Sequence, residues 1–149
     1  MPKINQSETS EHTHSVVTQA EYAESSLLVE LNGNCERILL SWKKIEELLQ
    51  QCDPSRFSLV YLVGSLQQEF EGLANIAFRI KKEVGPANMP VLMHALDAFA
   101  GGINNFRRFI QNYDARDAHN ILETEKFREK ISEFEEKVSD FIAFNVRSQ

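Results

Sequence analysis

Few residues in this chain have types and spacing that could do chemistry. His12-Thr13-His14 puts two imidazoles one residue apart, a pairing that suits a metal, but no third ligand lies near them. Di-metal sites in helical bundles use inward-pointing glutamates and a Glu-x-x-His motif. No Glu-x-x-His occurs here, and no glutamate falls on an apolar stripe from Leu28 onward. Cys35 and Cys52 are too far apart for a CxxC motif, and Cys35 sits on an apolar stripe as a reduced core thiol would. There is no Gly-x-Ser-x-Gly elbow. "VGSLQQEFEG" lacks both the preceding strand and the following Gly-Lys-Ser/Thr of a phosphate loop. No metal, no cofactor and no catalytic residue are expected, and the chain reads as a non-enzyme.

One histidine remains. In "MHALDAFAGGINNF", His94 lies two residues past the apolar residue Leu92, about 200° round a helix, and so faces outward. The stretch resembles the phosphoacceptor helix of histidine phosphotransfer bundles. In that family a hydrophobic residue, a lysine and a glycine typically follow the histidine. The resemblance implies His94 as a phosphoacceptor, but the matching positions here are Leu96, Asp97 and Ala98. An acid three residues on repels a phosphoryl group where a lysine would neutralise it.

The composition narrows the remaining classes. At 149 residues, 42% hydrophobic and 26% charged, the chain suits one domain with a real core. The net charge of −6 disfavours nucleic acid and anionic membrane, and the basic pairs Lys43-Lys44, Lys81-Lys82 and Arg107-Arg108 form no stripe. No apolar run is long enough for a membrane span. The N-terminus lacks the apolar centre of a secretory signal, which points to a reducing compartment, the cytoplasm. Its polar, Ser/Thr-rich character is also compatible with export through a non-classical signal.

The elements are read from apolar spacing. Residues 1–17 are polar and are expected to form a flexible tail, with a single domain over residues 18–149. Stripes with steps of three and four predict helices over about 18–51, 54–84, 89–113 and 124–146. Asp53-Pro54 reads as the start of the second helix, and Gly85-Pro86 as its stop. Residues 114–123, where Ala118, Ile121 and Leu122 fall out of phase with Phe127, read as a connector or short helix, with Thr124 as a cap beyond it. Asn32-Gly33-Asn34 is a strong turn signal. Leu28, Leu31, Cys35 and Ile38 nonetheless keep one phase across it, which predicts a continuous helix with those three residues facing away from the seam. Asn145 is the polar exception on the fourth stripe. The fold class is all-α: an antiparallel up-down-up-down four-helix bundle with coiled-coil-like packing.

Two groups of residues are candidates for partner contact. Ala95, Ala98 and Gly102 form a strip of small residues on the third helix, where close approach of a neighbouring or partner helix would offset the glycines. Leu40, Tyr61, Phe78, Phe109 and Phe144 lie off the seams; Phe109 and Phe144 flank theirs, while Leu40, Tyr61 and Phe78 point away. The expected function is a protein–protein interaction module, whether adaptor, regulator, chaperone-like bundle or secreted microbial effector, binding a protein partner or a second copy. The alternatives are phosphotransfer through His94 and a small-ligand sensor lined by Gly64, Gly72, Gly102, Asn104 and Asn105.

Overall fold

The computed structural model describes the backbone of residues 9–147 and the side chains of residues 26–146. It is a four-helix bundle: α1 (Thr9–Leu49), α2 (Arg56–Glu83), α3 (Met89–Gln111) and α4 (Asn120–Arg147). Each helix contacts its sequence neighbours, and α1 meets α4 to close the ring, while diagonal helices keep their backbones apart. Short links make consecutive helices antiparallel. Among the described residues no helix is long and apolar enough to cross a membrane.

The predicted stripes become the core. Leu28, Leu31, Cys35, Ile38, Trp42 and Ile45 of α1 are buried against Leu59, Val63, Leu66, Leu73, Ala77 and Ile80 of α2. Leu92, Leu96, Phe99, Ile103, Phe106 and Ile110 of α3 complete it with Phe127, Ile131, Phe134, Val138 and Phe141 of α4. Spacing of three and four puts such residues on one face of a 3.6-residue helix, and burial of that face supplies the stability that short-range propensity does not.

Several boundaries differ from expectation. Of the expected tail, residues 1–8, and the side chains of His12 and His14, lie outside the described residues. From Thr9 the backbone is helical. Each residue added to an existing helix gains a hydrogen bond, so a helix nucleated by packed turns near Leu27 and Leu31 propagates through polar sequence. Helix α2 is capped by Ser55, whose Oγ accepts from the Ser58 N–H at 3.2 Å, not by Asp53. Ser55 has the extended backbone of a cap, and Asp53 and Pro54 stay outside the helix. At the other end Gly85 adopts φ 61° and its N–H bonds to the Ile80 carbonyl at 2.9 Å, the left-handed stop expected of it.

Helix α4 begins at Asn120, so residues 120–123 belong to it and Thr124 lies inside it. The turn before it is built by side chains. Asp114 Oδ1 accepts from the Arg116 N–H, Asp117 Oδ1 accepts from the His119 N–H, and Asn120 Nδ2 donates to the Asp114 carbonyl at 2.7 Å. Ile121 and Leu122, out of phase with Phe127, are exposed as their phase requires.

Helix α1 runs unbroken through Asn32-Gly33-Asn34. Asn34, however, is buried and faces α2 rather than solvent. Its Oδ1 accepts from Arg37, whose Nε also meets Glu69 Oε1 of α2 at 3.1 Å. A Cβ at Gly72 would stand 2.9 Å from Asn34 Nδ2, so the glycine on α2 makes room for the amide on α1.

Candidate functional site

The aromatic residues of α3 and α4 interleave. Phe106 stacks on Phe127 at 4.3 Å, Phe127 on Phe99 at 5.9 Å, and Phe99 on Phe134 at 4.4 Å, all with ring planes within 18° of parallel. The sequence repeat places these rings every seven residues on each helix, and antiparallel packing alternates them along the seam. Phe70 of α2 meets Phe99 and Phe134 edge-on, and Trp42 of α1 meets Phe106 and Phe127 edge-on.

Over this ladder the outer side of the α3/α4 seam is open. An upper groove of about 670 Å³ has Phe99 and Phe134 in its lining, with Pro90, Val91, His94, Ala95 and Ala98 on α3. Lys130, Glu133, Glu136 and Lys137 of α4 complete it, so its rim carries both signs of charge. A lower groove of about 680 Å³ is lined by Gly102, Asn105, Phe106 and Phe109 of α3 and by Asn120, Lys126 and Phe127 of α4. Lys130 lines both. Its aliphatic stem would contact a Cβ at Gly102 at 3.3 Å, so Gly102 lets α4 come close and Lys130 divides the two grooves.

The small-residue strip therefore splits. Gly102 is buried by contact with α4, Ala95 is buried beside the upper groove, and Ala98 is exposed in it. Phe109 is half-buried, packed on Phe106 and Tyr113 at 5.6 and 5.8 Å, and lines the lower groove. Leu40, Tyr61 and Phe78 are exposed on α1 and α2 and do not join this site. Phe144, expected to be absorbed at its seam, is 47% exposed. The glycines named for a ligand cavity also disperse: Gly72 faces Asn34, Gly102 faces Lys130, and Gly64 has nothing within 4 Å of a Cβ position.

The α4 residues Lys130, Glu133, Glu136 and Lys137 are not among the residues that sequence spacing singles out. Lys130, Glu133 and Lys137 each lie one residue from a buried position of α4, the placement of a residue that borders a seam, and Glu136 lies two from Phe134 and Val138.

His94 is exposed and lines the upper groove with Glu133 and Glu136. The Cys35 thiol is pushed from 9.0 up to about 11 by burial first, and then by Glu135 and Glu36 nearby. It is no nucleophile at neutral pH. Cys52 is exposed and free. Arg116 beside Asp114, and the His119 amide and ring beside Asp117, hold those carboxyls below the usual carboxylate range. Among the described residues no three His, Cys, Asp or Glu side chains are grouped to hold a metal ion. Set against known protein families, curated proteins and solved structures, the chain matches none.

Proposed function

We propose that this protein is a non-enzymatic interaction module, an adaptor, regulator or chaperone-like bundle, whose upper α3/α4 groove receives the apolar face of a helical segment from a partner protein. The observation that carries the reading is the groove itself. It runs along two helices, with stacked rings at its base, a wall lowered by Ala95 and Ala98, and a rim of lysine and glutamate. A helix laid in such a groove anchors apolar residues at three- and four-residue steps and meets charges on either side. The exposed free thiol of Cys52 suits a reducing compartment.

Site-specific photocrosslinking in cells tests this. A photoreactive residue replacing Ala98 is expected to give adducts with one partner protein, with crosslinks mapping to an amphipathic helix. The same probe at Glu47, exposed on α1, is expected to give none. Ala98→Trp, which fills the groove without touching the core, is expected to abolish binding of that partner. Indistinguishable adducts at positions 98 and 47 would overturn the proposal.

A further inference from the structure

Helix α2 carries a second face that no other helix covers among the described residues, with only Lys81 of the same helix lying over the Phe78 ring at 5.7 Å. Phe57, Tyr61 and Phe78 are 83%, 70% and 61% exposed, values far above those of the core. With Gly64, Gln68, Glu71 and Asn75 they form one line down the helix, in steps that alternate four and three, the spacing of a coiled-coil seam. Aromatic residues stand at both ends of the line, and polar or small residues occupy its middle. Reversed about Gln68, the line sets Phe78 against Phe57, Asn75 against Tyr61, and Glu71 against Gly64. A two-fold interface requires a surface complementary to itself, with residue i meeting j and j meeting i, and here a ring at each end meets a ring.

From this we infer that the protein pairs with a second copy of itself through α2, the two helices antiparallel about a two-fold axis beside Gln68. Phe57 of each copy then packs against Phe78 of the other. Gly64 faces Glu71 of the second copy. A glycine inside a helix is destabilising, and no internal neighbour approaches Gly64 within 4 Å to account for it; a second helix crossing there does. Charge selects the direction. A parallel pair would set Glu71 on Glu71 and Lys82 on Lys82, whereas the antiparallel pair brings the last-turn Lys82 to the end where Asp53 precedes the second copy's helix. At these exposures the six rings of two copies present on the order of 800 Å² of aromatic surface, a large part of the roughly 1,200 Å² at the lower end of specific interfaces. The pair is therefore a weak, reversible one, and it leaves the α3/α4 groove on other helices free.

The test is the mass of the full chain in solution, by sedimentation and light scattering, across roughly 1 to 500 µM. The expected result is a monomer that doubles in mass over that range. Phe57→Glu with Tyr61→Glu should weaken pairing at least about tenfold while helix content is unchanged, since both side chains are exposed. Gln68→Cys in a Cys52→Ser background should give a disulfide-linked dimer under a glutathione redox buffer, and Glu47→Cys in the same background should not. A monomer at every concentration, pairing indifferent to the Phe57 and Tyr61 substitutions, or equal crosslinking at positions 47 and 68 overturns the inference. The groove proposal survives any of these outcomes.

Discussion

Asn145 Nδ2 donates to Asn88 Oδ1 across 3.1 Å, tying the end of α4 to the residue that opens α3. The same nitrogen donates to the Phe141 carbonyl at 2.8 Å, and Asn145 is only 3% exposed. A buried amide at an apolar position fixes which turn of one helix sits beside which turn of the next. Asn145→Ala is expected to lower stability by about 1–2 kcal/mol, measured by urea denaturation. Asn145→Leu should lose less, because it extends the apolar stripe. Both should speed hydrogen exchange at the Met89 and Val91 amides, whose partners, the Pro86 and Asn88 carbonyls, lie in the loosened turn.

Gly72 and Gly101 should respond to alanine in opposite ways. Both lie inside helices, where alanine gains about 1 kcal/mol over glycine. Gly101 has open space around a Cβ, so Gly101→Ala should realise that gain in thermal or urea unfolding. At Gly72 the new methyl meets Asn34 Nδ2 at 2.9 Å, and Asn34 is itself buried and bonded to Arg37. Gly72→Ala should therefore gain nothing or destabilise, and adding Asn34→Ala should recover part of the difference in a double-mutant cycle.

Phe99 is one of the two inner rungs of the ladder, stacked on Phe127 and Phe134 and edge-on to Phe70. Phe99→Ala should cost about 3–5 kcal/mol, a large fraction of a domain's stability. Phe99→Leu, which keeps most of the volume, should cost less than about 2 kcal/mol. Circular-dichroism melts distinguish the two, and near-ultraviolet signals should collapse in the alanine variant first.

The thiols should separate by environment. With Ellman's reagent, one thiol, Cys52, should react in the native protein, and both in denaturant. Cys35 keeps its proton up to about pH 11 in the folded state against 9.0 for an ordinary thiol. The folded chain thus binds more protons than the unfolded chain between those values. The contribution is intact below pH 9 and is lost as pH rises toward 11, on the order of 2 kcal/mol. Cys35→Ser, or better Cys35→Ala to avoid a buried hydroxyl, should flatten that alkaline loss in pH-dependent unfolding.

The helices were legible because large apolar residues repeat in phase over many turns, and the same phase carried α1 through Asn32-Gly33-Asn34. What escaped were features set by two helices at once. Asn34 lies only slightly off its seam, and its burial depends on Gly72 across the α1/α2 contact. Asn145 looked like a gap in a stripe until Asn88 stood beside it. The start of α4 was masked because Ile121 and Leu122 are apolar yet exposed. Of the site, the small residues Ala95, Ala98 and Gly102 were visible. The groove was not, because its opening depends on how far apart α3 and α4 sit at Lys130.

The ring of helix contacts also orders the way the chain assembles. Three of its four seams join helices that follow one another in sequence, so their closure loops are short and their formation is fast. The fourth, α1 against α4, joins the ends of the domain through Trp42 on Phe127 at 5.2 Å and Arg128 on Glu46 at 2.7 Å. It carries the largest loss of chain entropy and is the step that completes the barrel of helices. The sole tryptophan packs on Phe127 of that seam and on Phe106 of α3, so its fluorescence is expected to follow the joining of the two helix pairs.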